Sequence, residues 1–130
     1  MRISEAMIRY YLDTVTVGYF NDHDLPPDDV DGYAEQVRSM GLKMAKHGDS
    51  QALRLGLVYL LRHKELDLSY YNGGRYPFDD AEMREILRYI ESVLFPEKQE
   101  PTDDELGRVE IITVPLEEWW STRSERGEAM

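Results

Sequence analysis

The stretch from Ser50 to Leu61, SQALRLGLVYLL, decides the fold. Only Gln51 and Arg54 interrupt an apolar run that includes Leu53, Leu55, Leu57, Val58, Leu60 and Leu61. A helix apolar on nearly every side must be covered on every side. The run is also too short to cross a bilayer, which takes about 20 apolar residues. It therefore predicts a buried central helix with the other segments wrapped around it.

Working outward toward the amino terminus, Gly48 closes the helix that precedes the central one, and the central helix starts at Asp49 or Ser50 after a very short turn, which makes the two an antiparallel pair. Val30, Tyr33, Ala34, Val37, Met40, Gly41 and Met44 mark one face of that preceding helix, with Asp28 or Asp29 as its cap. A further amphipathic helix runs from Ser4 to about Val15, carrying Met7, Ile8, Tyr11, Leu12 and Val15 on one face, and Tyr19 and Phe20 fold back onto the core. Between them Asn21 to Pro27 is a loop, because consecutive prolines and turn-forming Asn and Asp block helix and ladder alike.

On the carboxyl side, Leu66 to Phe78 breaks the helical pattern, and Asn72-Gly73-Gly74 signals a turn within a small hairpin or an ordered loop. Tyr70, Tyr71 and Tyr76 cannot all reach the core from so short a segment, so at least one ring is expected at the surface. Asp79 with Glu82 has the form of a capping box, followed by the stripe Met83, Ile86, Leu87, Ile90, Val93 and Leu94. Glu97 to Gly107 reads as an acidic connector with one capped turn at Thr102 to Glu105. Val109 to Val114 is a β-branched strand, expected to pair with the Leu66 to Phe78 arms, with a second copy, or with the sheet edge of a partner. Leu116 to Trp120 begins a last helical turn. The fold class that follows is mainly α: a single-domain bundle of about four helices around the central apolar helix, with a small β element, over residues 1–120, and a flexible tail at 121–130.

The chain has 130 residues, 26 acids against 15 bases and a net charge of -11. That sign argues against direct binding to nucleic acid, where phosphate attraction supplies most of the non-specific affinity. Charge is also uneven: between Gln36 and Lys64 the bases Arg38, Lys43, Lys46, Arg54, Arg62 and Lys64 face a single acid, Asp49. These bases are expected to serve as intramolecular counter-ions for the acidic loops. Cysteine is absent, which removes disulfides, thiolate nucleophiles and cysteine-ligated zinc. MRISEAMIRYY lacks the continuous apolar core of a signal peptide, and no segment reads as a membrane span, so a cytoplasmic protein is expected.

No motif for catalysis emerges. His23, His47 and His63 lie far apart without a Ser or Cys partner in a suitable elbow, and Gly73-Gly74 lacks the following Lys and helix of a phosphate cradle. The acids of Asp22 to Asp31 miss the spacing of a twelve-residue calcium loop. Glu82 and Glu85, with Glu100 and Asp103, are similar in number to the acidic pairs by which helical nucleotide pyrophosphatases hold magnesium, but Pro101 breaks the second pair. No metal, no cofactor and no enzymatic activity are therefore expected; a metal-dependent nucleotide hydrolase using helix carboxylates is the remaining catalytic alternative.

Asp67-Leu68-Ser69-Tyr70-Tyr71 is similar to the Asp-Leu-x-Tyr-Tyr segment of the colicin and pyocin DNase immunity proteins, over five residues of the chain and with Asn72 where that family has Pro. The resemblance implies that the paired tyrosines and nearby acids contact a nuclease. Independently, the acids crowd into loops and helix starts, where they can imitate a row of phosphates. The expected role is that of an acidic inhibitor that masks a basic, nucleic-acid-handling partner, as an immunity protein or a phage anti-defence protein does. The partner-binding residues expected are Asp22, Asp24, Asp28, Asp29, Asp79 and Asp80, with Tyr70, Tyr71, Trp119 and Trp120 as stiff aromatic anchors. The other alternative is a homodimeric structural or adaptor subunit, in which a second copy covers the Trp pair and the strand.

Overall fold

The structure, a computed structural model, describes residues 1–97 and 100–122. The order of elements is β1 (Arg2–Ser4), α1 (Glu5–Thr16), α2 (Ala34–His47), α3 (Ser50–Arg62), α4 (Asp80–Leu94), α5 (Asp103–Gly107), β2 (Glu110–Ile112) and α6 (Leu116–Thr122). Tight 3-10 turns occupy Gly18–Asn21, Val30–Tyr33 and Leu68–Tyr71. This is the mainly helical bundle with a small β element expected from the sequence. α3 lies against α1, α2, α4 and α5, burying Leu53, Leu55, Leu57, Val58 and Leu60. Tyr11, Leu12, Val37, Met40, Ile86, Leu87 and Ile90 meet it from the surrounding helices and are all buried.

Local chemistry sets the helix ends. The Ser4 hydroxyl accepts from the Met7 amide at 3.2 Å, and Asp79 with Glu82 and Thr102 with Glu105 form reciprocal capping boxes on α4 and α5. Asp29 caps the turn Val30–Tyr33, which feeds into α2, and α2 stops at Gly48 in the left-handed conformation. The last carbonyls of α3 are satisfied from outside: buried Arg84 of α4 donates to the carbonyls of Leu60, Leu61, His63 and Leu66, and pairs with Asp80 at 2.9 Å.

The pairing expected of the strand needs correction. The strand is Glu110–Ile112, and it pairs not with the Leu66 to Phe78 arms but in parallel with β1, in the register Arg2↔Glu110, Ile3↔Ile111 and Ser4↔Ile112. Fully buried Ile3 and Ser4 bring β1 under cover, and the Ser4 hydroxyl donates to the Val114 carbonyl at 2.7 Å. Of the two forms expected for residues 66–78, a small hairpin or an ordered loop, the structure has the ordered loop, here a strap. Its backbone groups are met by side chains: the Leu68 amide donates to Asp80 at 2.7 Å, the Gly74 amide to Asn72 at 2.9 Å, and the Asn72 amide group to the Phe78 carbonyl at 3.2 Å. The strap follows α1 along its length, with the Tyr70 hydroxyl at Glu5, Gly73 against Asp13, Thr16 and Val17, and Tyr76 stacked on Phe20 beyond the end of the helix.

Of the proposed flexible tail, Ser121 and Thr122 belong to α6 and residues 123–130 lie outside the described residues. Among the described residues no helix is long and apolar enough to cross a membrane.

Candidate partner-binding face

The acidic loop between α1 and α2 is held from both ends. Tyr19 and Phe20 are buried in the turn that follows α1, and the Arg75 guanidinium donates to the Phe20 carbonyl at 2.8 Å. His23 stacks on Tyr19 with ring centroids 4.0 Å apart, its Nδ1 lying 3.0 Å from the Tyr19 carbonyl. Pro27 packs so closely on Gly32 that a Cβ there would stand 2.3 Å from the proline ring. Between these anchors Asp22, Asp24, Asp28, Asp29 and Asp31 are all exposed. Leu25, in their midst, is 71% exposed.

An aromatic layer joins this loop to the strap that leads into α4. Tyr19 meets Tyr33 at 5.0 Å, and Phe20 stacks on Tyr76 at 5.4 Å and leans on Phe78 at 6.0 Å. Burial pushes the Tyr33 hydroxyl well above its usual range, with Tyr19 and the carboxylates of Glu82 and Glu85 adding to the rise. Tyr89 is raised by burial first and then by Asp31 and Asp29, with Arg38 opposing. The loop acids and Glu82 and Glu85 of α4 thus act on the same side of the bundle, although some fifty residues separate them in sequence. Among the described residues none of Asp22, Asp24, Asp28, Asp29, Asp31, Glu82 and Glu85 takes part in an ion pair.

Other acids named from the sequence are engaged within the chain. Asp79 is exposed but spends one oxygen on the Glu82 amide at 2.8 Å. Asp80 is half-buried between Arg84 and the Leu68 amide, which hold its carboxyl below the usual range, so it works as a brace and not as a projecting charge. Arg62 pairs with both Glu100 and Asp103, and Arg108 with Asp104, so the connector is partly neutralised. Of the six bases in the positive window, Arg62 is the one with an ion pair among the described residues; the counter-ion role expected of the group holds for it alone there. Among the described residues no group of three or more His, Asp and Glu is arranged to hold a metal ion.

The aromatic anchors separate in the same way. Tyr70 is 59% exposed, with its hydroxyl donating to Glu5 at 2.8 Å and the Arg9 guanidinium 4.0 Å from its ring. It lies at the first turns of α1, at the far end of that helix from the acidic loop. Tyr71 is buried, and burial pushes its hydroxyl up to about 12. Trp119 and Trp120 stand on a helix and face inward: Trp119 is 1% exposed and donates to Asp49 at 3.0 Å, while half-buried Trp120 donates to the same carboxylate at 2.8 Å and stacks on His47 at 3.9 Å. Of the four rings expected as anchors Tyr70 is exposed, Trp120 is half-buried, and Tyr71 and Trp119 are buried, the two indoles drawn in by a buried carboxylate.

Asp49 itself was missed in the sequence. It occupies the cap position of α3 without capping it, and its buried carboxylate also accepts from the Tyr11 hydroxyl at 2.7 Å. The loop around Asp22, Asp24, Leu25, Asp28 and Asp29 stays exposed, with exposed Glu82 and Glu85 on the same side of the bundle. Comparison of the chain with protein-family models, curated proteins and solved structures finds no match.

Proposed function

We propose that this chain is a non-catalytic, acidic binding module that inhibits a partner by covering its basic, nucleic-acid-binding surface, in the manner of a nuclease-toxin immunity protein or a phage anti-defence protein. The observation that carries this reading is a firmly anchored loop whose carboxylates have no ion-pair partner among the described residues. Unneutralised like charges held together repel one another in the free chain, and a basic surface relieves that repulsion on docking. Exposed Leu25 adds an apolar contact at the centre of the charged ring, the arrangement in which an interface core is desolvated inside a polar rim.

The test is capture from a bacterial lysate at low and high salt, with wild type and a variant carrying Asp22→Asn, Asp24→Asn, Asp28→Asn and Asp29→Asn. Exposed charge pairs contribute about 0.2–1 kcal/mol each, so the four changes together should weaken capture roughly 30-fold at low salt. The captured protein should be basic, and its binding to a fluorescent oligonucleotide should be competed by the wild type and not by the variant. Partners that are neutral or acidic, retained equally at high salt and by the variant, would refute the proposal.

A further inference from the structure

A cleft of about 480 Å3 opens between α1 and α2 at the root of the acidic loop, where Val17 and Gly18 end one helix and Glu35 begins the next. Its size is that of a small-ligand site. Tyr10, Asp13 and Thr14 line it from α1, and Glu35, Gln36 and Lys43 from α2. Behind this wall two oxygens of lining residues, Thr14 Oγ1 and Gln36 Oε1, are buried with no hydrogen-bond partner among the described residues. Buried polar atoms are nearly always paired, so two unpaired oxygens on facing helices call for a physical reason. Partial burial also raises the Asp13 carboxyl above its usual value, against the opposing charge of Arg9, whose own guanidinium is turned onto Tyr70 and Glu5. The Asp13–Glu35 end of the cleft thus offers two carboxylates, with the two unpaired oxygens buried behind the wall. Lys43 bounds the other end, its Nζ 5.7 Å from the centre of the Tyr10 ring. An occupant that suits the acceptor end brings a positive charge together with N–H donors spread over a plane, which is the description of a guanidinium; an ammonium presents its donors from a single point.

We propose that this cleft receives an arginine side chain of the basic partner, with its guanidinium clamped between Asp13 of α1 and Glu35 of α2. Docking turns the Gln36 amide about its soft terminal torsion and the Thr14 side chain about χ1, which brings both buried oxygens to the guanidinium and completes the acceptor set. The inference rests on the reading of the acidic loop as the docking face, because docking there brings the partner's basic surface to the mouth of the cleft.

N-acetyl-arginine amide is the probe, titrated against the full chain by amide NMR. Saturable shifts are expected at residues lining the cleft, with N-acetyl-lysine amide binding more weakly at equal ionic strength. Asp13→Asn and Gln36→Leu should each weaken the arginine probe about tenfold, the effect of one hydrogen bond to a charged group. Lys43→Met should tighten it. Gln36→Leu removes an unpaired buried oxygen, so its melting temperature should not fall, and lost binding in this variant cannot be ascribed to unfolding. No saturable shift at the cleft, equal binding of the two probes, or indifference to both substitutions would overturn the proposal. The lysate capture separates it from the broader function: a basic partner still held at full strength by the Asp13→Asn/Gln36→Leu variant overturns the arginine clamp and leaves the acidic face standing. Arginine binding at the cleft without any basic partner captured overturns the assignment to a partner.

Discussion

A buried carboxylate has to be satisfied by groups outside its own turn, and Asp49 shows why such a residue is hard to find in a sequence. It follows Gly48 and precedes an apolar helix, where an aspartate reads as an ordinary start signal. Its actual partners include Tyr11 and the indoles of Trp119 and Trp120, the latter about seventy residues away, and no local pattern links them. Asp49→Ala should strand buried donors on three side chains and cost about 3–5 kcal/mol in urea unfolding, since each unsatisfied donor costs about 1–3 kcal/mol. Asp49→Asn, which keeps an acceptor, should cost less. Asp80 carries the pH-dependent counterpart. Its pKa is lowered in the folded chain by Arg84 and then by the Leu68 amide, so its stabilising effect is fully present above the ordinary carboxylate value of about 3.9 and is lost as pH falls through the lower folded value. The difference in urea midpoint between wild type and Asp80→Asn should be constant near neutrality and close only in strong acid. A difference that does not change with pH would contradict the brace.

At the level of elements, the long helices were legible because their apolar residues recur with helical spacing and their ends carry chemical markers. The Asp79–Glu82 box, Ser4 and Gly48 all perform the roles their positions suggest, while Asp29 caps the 3-10 turn Val30–Tyr33 instead of α2, which starts at Ala34. The strap and the strand pair were not legible. Three residues of β1 hold too little pattern to distinguish a strand from the lead-in to α1, and Asn72-Gly73-Gly74 gives the same signal for a hairpin as for a loop closed by side chains. The strap can be tested at its two adjacent glycines. Gly73 and Gly74 both have positive φ, 78° and 77°, but a Cβ at Gly73 would stand 2.7 Å from Val17 Cγ2, whereas at Gly74 it would meet nothing within 4 Å. Gly74→Ala should show the backbone penalty alone, about 1 kcal/mol. Gly73→Ala should cost clearly more, because the strap must lift from α1. Equal melting temperatures for the two variants would rule out that close approach.

Over the whole molecule, the sequence treats Asp22 to Asp31, Asp79 to Glu85 and Glu97 to Glu105 as equivalent acidic clusters, and only three-dimensional placement divides them. The connector's Glu100 and Asp103 share Arg62, Asp80 serves Arg84, and the loop keeps its charge. The loop acids were therefore named in the sequence but not separable there from engaged ones such as Asp80, and the inward Trp pair and the α1–α2 cleft likewise depended on contacts between distant segments. Closure of the fold depends on such contacts as well. Ile3→Ala, which hollows the fully buried side of β1, should cost about 2–5 kcal/mol and should lower hydrogen-exchange protection in Glu110–Ile112 along with it. Protection that survives in β2 would mean that the two strands do not form one unit. The parallel pairing has a further consequence during biosynthesis. β1 leaves the ribosome roughly a hundred residues ahead of the strand that completes it, and at about 5–20 residues per second that is a wait of roughly 5–20 seconds. Throughout that interval the backbone groups of β1 that later pair with Glu110–Ile112 have no ladder partner, so the last part of the chain to be made is the part that closes the first.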